Sequence, residues 1–424
     1  MTTRTHAALL AAVVAWSGAS PAQDHQQHQA GPGARCDGPE FACAMEATPA
    51  LAGDGSVWLA WTSASRVYAA RSTDQGRSFP APVEITRGPA KLDHSADTRP
   101  QIVVDRAGRV TVGYAVMTDV QFKGELFHAH STDGGRAFSA PRPLNANPAG
   151  KRFLSLALDP DGAVFASWVD KRDLAAAQAA GRKYAGAAVY AAWSGDGGAT
   201  FGDPVTVREH TCECCRVAVD FAGAGRPVVL WRSLFGKARD HAIATFNAPT
   251  VVGAVHRISV DDWQIDACPH HGPSVAVAGD GTYHVAWFTA SDTRKGLFYA
   301  RSGDAGATFS APAPIGAPAR QPARPQLLAR GEDLWLAWRE YDGQATEIVV
   351  RHSASGGRDW STPRVVGRSA STADHPVLVS DGRRAFVSWL TRAEGYRLLP
   401  LQAADFRAGS TASLTSRIAA SGSP

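Results

Sequence analysis

The sequence STDQGRSF at residues 72–79 gives the clearest sign of how this chain folds, because close copies of it recur. The copies are STDGGRAF at 131–138, SGDGGATF at 194–201 and SGDAGATF at 302–309, and a worn copy, SASGGRDW at 353–360, lacks the central aspartate. This pattern is typical of a hairpin turn. Its aspartate accepts hydrogen bonds from the turn, a glycine supplies a positive φ, and the final aromatic packs under the sheet. The four aspartates are Asp74, Asp133, Asp196 and Asp304.

A second repeat gives the number of units. At intervals of 51 to 63 residues, which are typical of propeller blades, an apolar strand ends in an aromatic residue: Trp61, Tyr114, Trp168, Trp231, Trp287, Trp338 and Trp389. An earlier strand in the unit often opens with proline: Pro49, Pro100, Pro273, Pro325 and Pro376. Repeated four-stranded units predict an all-β fold, a β-propeller with seven blades, or six as the alternative. We expect the aromatics to pack between blades rather than stack on a ligand.

Two units depart from this pattern. The fourth, around Trp231, has no copy of the turn motif, and the seventh, from Pro376 to about Leu401, supplies only three strands. We expect the segment after Cys36 to add the missing strand, because a closed ring leaves no sheet edge open.

The turn motif resembles the Asp-box, or BNR repeat, of the sialidase superfamily. The resemblance covers nearly the whole chain after its first residues, and it implies a propeller whose boxes lie on the blade edge away from the active face. It implies a fold and not an activity. The expected division is a signal peptide at 1–22, a linker at 23–35, the propeller at 36–405 and a flexible tail at 406–424.

The start of the chain predicts export. Arg4 and His6 precede a short apolar run at 7–16, and the small residues Ser20 and Ala22 form a cleavage site. We therefore expect a periplasmic protein, with no segment long enough to span a membrane. The net charge is +4 with acids and bases interspersed, and no basic cluster has interleaved aromatics, which argues against a nucleic-acid partner.

Residues with titratable or metal-binding side chains are concentrated in one class of loop. In a propeller, the loops that enter each first strand and follow each second strand open on the same face, around the central channel. These loops carry Cys43, Met45, Glu46, Asp93, His94, Asp97, Arg99, Arg152, His210, Cys212, Cys214, Cys215, Cys268, His270, His271, Arg324 and His375, and then Asp170, Arg172, Arg232, Arg339, Glu340 and Tyr341. Such convergence is the usual form of a binding site.

Thiols and imidazoles in these loops predict a site for copper or zinc, since they are ligands for soft or borderline metals. The central candidates are Cys212, Cys214, Cys215, Cys268, His270 and His271, and the additional candidates are His94, His375, Cys43 and Met45. We expect Cys212, Cys214 or Cys215 to lie within a side chain's reach of Cys268, His270 or His271, because the two loops open neighbouring units, the fourth and fifth, at the same point of the repeat.

The alternative is that the cysteines form disulfides, as they commonly do in exported proteins. Cys268 would pair with Cys212, Cys214 or Cys215, and Cys36 with Cys43. Each histidine taken alone is more often a hydrogen-bonding structural residue than a ligand.

A second alternative is a sialidase-like glycosidase. The enzymes of that superfamily use three arginines to hold a carboxylate, a Tyr–Glu pair as nucleophile and an aspartate as acid/base. Here Ala47 stands where the first arginine is expected. Candidates for the other roles are Arg99, Arg232, Arg324 and Arg339 for the clamp, Tyr341 with Glu340, and Asp93 or Asp97. A third alternative is a scaffold that binds a periplasmic protein, and the partner classes are accordingly a metal ion, a small molecule or glycan, or a protein.

Overall fold

The computed structural model describes residues 38–118 and 123–407. The predicted signal peptide and linker lie outside these residues, as do Cys36 and residues 408–424 of the tail predicted at 406–424, so those predictions stay predictions. Among the described residues, no helix is long and apolar enough to cross a membrane.

The described chain forms seven antiparallel sheets in succession. Blades one and two consist of β1 (Ala47–Leu51), β2 (Val57–Ser63), β3 (Arg66–Ser72), β4 (Val83–Glu84), β5 (Gln101–Val104), β6 (Val110–Met117), β7 (Gly124–Ser131) and β8 (Arg142–Pro143). Blades three and four consist of β9 (Lys151–Leu158), β10 (Val164–Asp170), β11 (Ala187–Ser194), β12 (Val205–Thr211), β13 (Ala218–Phe221), β14 (Pro227–Arg232), β15 (His241–Ala248) and β16 (Val251–Arg257).

The remaining blades follow the same order. Blades five and six consist of β17 (Ser274–Val277), β18 (Tyr283–Ala290), β19 (Lys295–Ser302), β20 (Ala313–Ile315), β21 (Ala323–Arg330), β22 (Asp333–Tyr341), β23 (Thr346–Ser353) and β24 (Arg364–Ser369). Blade seven has β25 (Val377–Ser380), β26 (Ala385–Thr391) and β27 (Gly395–Leu401). A short helix, α1 (Arg172–Ala179), lies between β10 and β11, and 3-10 helices occupy Phe41–Cys43, Pro318–Arg320 and Ala403–Phe406.

The sheets form a closed ring. The first strand of each blade contacts the first strand of the next, and β25 of blade seven contacts β1 of blade one. The prediction of a seven-bladed propeller is confirmed, and the alternative of six blades is wrong.

The ring closes differently from the way we expected. Within the described residues, blade seven has three strands, and residues 38–46 do not add a fourth. This segment instead covers the junction of blades seven and one: Phe41 lies 5.0 Å from Trp61 and 6.1 Å from Tyr396 between ring centroids. The carbonyl of Pro39 also accepts a hydrogen bond from Trp61 Nε1 at 3.0 Å. The junction is therefore sealed by aromatic packing, which buries apolar surface without needing a paired strand.

The aromatic residues that end the second strands lie in the core, as the alternation predicts. Six of them are tryptophans that are at most 1% exposed, and Tyr114 is 5% exposed. Large side chains at the same point of each blade fill the space between neighbouring sheets, and their burial stabilises the ring.

The repeated turns have the predicted hydrogen bonds. In the first copy, Ser72 Oγ donates to Asp74 Oδ1 at 2.7 Å, and the Ser78 amide donates to the same oxygen at 2.9 Å. In the worn copy, Ser355 Oγ takes the place of the carboxylate and accepts from the Asp359 amide at 2.8 Å. A hydroxyl thus preserves the turn without the charge.

Each turn also packs against the preceding blade. In blade three, Gly198 has φ +82°, and a Cβ there would collide with the Thr111 side chain of blade two. Thr111 Oγ1 donates to the Gly197 carbonyl at 2.9 Å, and Phe201 meets the His128 ring edge-on at 5.1 Å. The motif therefore joins blades as well as strands.

Candidate functional site

Four cysteines and one histidine meet at the junction of blades four and five. Cys212, Cys214 and Cys215 lie in the loop between β12 and β13, while Cys268 and His270 lie in the loop between β16 and β17. Both loops enter a first strand, so they open on the face opposite the repeated turns, as the position in the repeat predicts. We call these five residues the thiol cluster.

The sulfur atoms of the thiol cluster are close together. Those of Cys212, Cys214 and Cys215 all lie within 4.8 Å of one another, and Cys212 Sγ is 3.3 Å from Cys214 Sγ. Cys268 hydrogen-bonds both the Cys214 thiol and the His270 imidazole. The two loops therefore do meet at these side chains.

All four cysteines of the thiol cluster are free thiols. The structure thus does not show the alternative in which Cys268 forms a disulfide with Cys212, Cys214 or Cys215. The predicted pairing of Cys36 with Cys43 stays a prediction, because Cys36 lies outside the described residues.

Positive charge surrounds the thiols. Arg239, in the loop between β14 and β15, points a guanidinium nitrogen at Cys212 Sγ, 3.5 Å away. Hydrogen bonds from the thiols of Cys214 and Cys215, together with the charge of Arg232, hold the pKa of Cys212 well below its usual value. Burial raises the pKa of Cys215 instead. One of the buried sulfurs is therefore favoured as a thiolate, which is the form that binds metals.

At the exposed end of the cluster, the Cys268 thiol contacts the His270 imidazole. A hydrogen bond from Cys214, and then one from His270, lower the pKa of Cys268 to about 5. The same contact with Cys268 raises the pKa of His270. His270 has φ +47°, a left-handed backbone that is uncommon for a histidine outside turns. The chain therefore bends at His270, between Cys268 and His271.

The other predicted ligands lie elsewhere. His271 stacks on Phe288 with ring centroids 4.0 Å apart, and burial lowers its pKa to about 3. His94 Nδ1 is 3.2 Å from Glu46 Oε2. Cys43 ends the 3-10 helix that borders blade one, and the Met45 amide donates to the Thr62 carbonyl at 3.0 Å.

His375 faces a different environment, the arginines of the channel. Burial lowers its pKa well below the usual value, and the charges of Arg324 and Arg339 lower it further. The imidazole is therefore kept neutral among cations.

Ion pairs between distant blades fill the channel mouth. Asp97 of blade two is 3% exposed, accepts a hydrogen bond from Arg216 of blade four at 3.1 Å, and forms an ion pair with Arg324 of blade six at 2.6 Å. Burial opposes ionisation of Asp97, but the two arginines outweigh it and lower its pKa. Arg99 pairs with Asp374 at 2.5 Å.

One arginine of the channel has no acidic partner among the described residues. Arg339 Nε is buried there without a hydrogen-bond acceptor, and burial, with repulsion from Arg324, lowers the pKa of its guanidinium. The channel mouth thus holds more positive than negative charge.

The predicted nucleophile pair is not assembled. Glu340 is 6% exposed, and its carboxylate accepts from Trp338 Nε1 at 2.8 Å and from Arg320 Nε at 2.8 Å. Tyr341 follows it on β22 and is 38% exposed. Successive residues of a strand point to opposite faces, so the two side chains diverge. Asp93 is likewise engaged, by Arg152 in a two-point contact of 2.6 and 2.9 Å.

Three residues of the site were missed by the sequence analysis: Arg216, Arg239 and Asp374. Two of them had a signal, since Arg216 directly follows Cys215 and Asp374 directly precedes His375. Arg239 lies in a hairpin loop with no motif, and only the folded blade brings it to the thiols. A cavity of about 340 Å³ lies near Asp333, His352 and Phe406 on the face of the repeated turns, away from this chemistry.

Comparisons with known proteins give the fold. No family model matches the chain, and no curated protein matches it. Among solved structures, an ulvan lyase, a polysaccharide lyase solved with an oligosaccharide bound, has a TM-score of 0.55 at 13% identity, covering 85% of this chain and 94% of that one. A Hadza microbial sialidase has a TM-score of 0.50 at 14% identity, covering 83% of this chain and 77% of that one.

A second polysaccharide lyase has a TM-score of 0.51 at 10% identity, covering 88% of this chain and 92% of that one. At these identities the likeness extends to the propeller architecture alone. The chain is similar in fold to propeller lyases and a sialidase.

Proposed function

We propose that this protein is an exported metal-binding propeller that holds Cu(I) at the thiol cluster. The observation that carries the proposal is the approach of three buried sulfur atoms to within 4.8 Å of one another. Soft thiolate ligands select Cu(I) among the metals that a protein meets. The nearby Arg239 and Arg232 offset the negative charge that such a site acquires.

The donor set favours copper over zinc. Structural zinc takes four ligands in a tetrahedron, whereas the group of mutually close ligand atoms here has three members, Cys212, Cys214 and Cys215. Cu(I) is satisfied by two or three soft sulfurs. Zinc would have to recruit Cys268 or His270 from the neighbouring loop, and the experiment below separates the two metals.

Export adds a separate argument. Free thiols in an oxidising compartment are normally converted to disulfides, so four unpaired cysteines in an exported protein need protection. A bound soft metal provides it, because a metal-bound thiolate no longer attacks disulfides.

The test is anaerobic reconstitution of the reduced protein with Cu(I) and, separately, with Zn(II). Affinity is measured by competition with a chromophoric chelator, and stoichiometry by elemental analysis. We expect tight binding of Cu(I), and a loss of at least about 100-fold in Cys214→Ser/Cys215→Ser. His210→Ala is the matched control, because His210 neighbours the loop but packs its ring against Tyr184, with ring centroids 4.4 Å apart. Equal weak binding by wild type and the double variant would reject the metal site, and a clear preference for Zn(II) would replace copper by zinc.

A second candidate function is recognition of an acidic glycan at the channel mouth. The observation that favours it is the excess of arginine there, with Arg339 lacking an acidic partner among the described residues. The solved relatives in fold include a sialidase and lyases that act on polysaccharides. Against cleavage of sialosides stand Ala47 at the first clamp position and the engaged carboxylate of Glu340. Incubation with a fluorogenic sialoside tests this. Turnover that disappears in Tyr341→Phe would promote this candidate.

A further inference from the structure

The four thiols of the cluster differ sharply in exposure. Cys212, Cys214 and Cys215 are 2%, 1% and 2% exposed, respectively, whereas Cys268 is exposed. A donor that carries a metal ion in solution therefore cannot touch the three buried sulfurs directly. Cys268 is the thiol of the cluster that it can reach.

The contacts form a continuous path from the exposed thiol inward. Cys268 hydrogen-bonds Cys214, and Cys214 in turn hydrogen-bonds Cys212 and Cys215. Cys214 is thus the link between the exposed and the buried sulfurs. His270 lies beside Cys268 at the exposed end and adds a second ligand atom there.

The loop that carries Cys268 and His270 is anchored by Arg216 where it enters blade five. Gly272 packs so closely on the Arg216 side chain that a Cβ would collide with it, and Arg216 also donates to the Pro273 carbonyl at 3.0 Å. The end of this loop, four residues after Cys268, is therefore fixed at the junction of blades four and five.

We propose that Cys268 and His270 form an entry site that takes Cu(I) from a thiolate-bearing donor and passes it through Cys214 to the buried sulfurs. The proposal rests on the proposed function. In the first step, the bond between copper and a donor sulfur breaks as a bond between copper and the Cys268 thiolate forms, and the donor sulfur leaves as a thiolate. In the second step, Cys214 Sγ replaces the remaining donor sulfur, and the proton of the Cys214 thiol goes to the departing donor thiolate. Copper stays Cu(I) throughout.

An entry site and a plain ligand make different kinetic predictions. Loss of a plain ligand weakens binding by speeding release, whereas loss of an entry site slows loading. The three buried thiols still bind copper in Cys268→Ser, so the rate of loading and the affinity separate in this variant.

The experiment follows transfer of Cu(I) from its glutathione complex to the protein by stopped-flow absorbance, with affinity measured by chelator competition. We expect Cys268→Ser to load about 100-fold more slowly, with an affinity loss of about tenfold or less. In Cys215→Ser, we expect the loss to lie in faster release. Ala267→Ser, at the exposed neighbouring position, controls for a change in the loop. A Cys268→Ser variant that loads at the wild-type rate would overturn the entry site. Failure of the wild type itself to bind Cu(I) would overturn the proposed function first.

Discussion

Arg216 donates a hydrogen bond to Asp97 at 3.1 Å across the channel, although the two residues belong to blades four and two. Arg216 follows Cys215 directly in the chain, so the loop that carries three thiols is anchored to the centre of the ring. The same arginine donates to the carbonyls of Pro273 in the loop entering blade five and Pro325 of blade six. The thiol cluster and the channel are therefore parts of one network.

The carboxylate of Asp97 is predicted to be essential for stability. Asp97→Asn leaves Arg216 and Arg324 buried near each other without the anion between them. Breaking a buried ion pair by removing one partner costs about 3–5 kcal/mol. Urea denaturation should show a loss of this size in the free energy of unfolding. The exposed Asp161→Asn is the control, with an expected change of within about 0.5 kcal/mol. A wild-type-like Asp97→Asn would mean that the arginines do not depend on this carboxylate.

Arg239 is predicted to tune the affinity for copper without touching the metal. Arg239→Met removes the positive charge 3.5 Å from Cys212 Sγ. A hydrogen bond to a charged group contributes about 1.5–3 kcal/mol, so the Cu(I) affinity should fall by about 10- to 100-fold. Chelator competition measures this. Arg226→Met, on an exposed part of the same blade, should bind as the wild type does, and equal affinities in all three proteins would remove Arg239 from the site.

We predict that the turn aspartates lose their contribution to the stability of the fold in acid. Hydrogen bonds from Thr308, first from its side chain and then from its amide, lower the pKa of Asp304 to about 2. A lowered folded-state pKa stabilises above the unfolded value and loses that contribution as pH falls through the folded one. The difference in Tm between wild type and Asp304→Asn should therefore be constant near neutral pH and shrink between pH 4 and 2. A difference that stays constant over this range would contradict the assignment.

For Asp220 we predict the opposite: its contribution to stability is lost as pH rises. Burial raises its pKa to about 6, although the amides of Val277 and Phe221 donate to it. A raised folded-state pKa gives a contribution that is full below the unfolded value of 3.8 and is lost as pH rises through about 6. Thermal unfolding from pH 4 to 7 should show the wild type losing its advantage over Asp220→Asn as pH rises. An advantage that grows with pH would show that Asp220 is ionised in the folded protein.

The ring and the meeting of the thiol loops could be predicted because both depend on position within a repeat. Once Trp231 and Trp287 mark equivalent strands, the loops before their units must be neighbours. The contacts that could not be predicted are made by long side chains, because the repeat does not define how far these reach. Arg239 meets Cys212 only because the hairpin of blade four folds over the loop, and Asp374 meets Arg99 only because blade seven returns to blade one. The closure also escaped prediction, since the aromatic packing of Phe41 leaves no alternating pattern to detect.

The packing of each turn against the preceding blade affects how the protein unfolds. When Thr111 Oγ1 donates to the Gly197 carbonyl, the third sheet cannot loosen without exposing a polar group of the second. Unfolding of one blade would therefore strip hydrogen bonds and apolar contacts from its neighbour, and the closed ring leaves no end from which to begin. The propeller should melt in a single cooperative transition, unlike open repeat arrays, which fray from their ends.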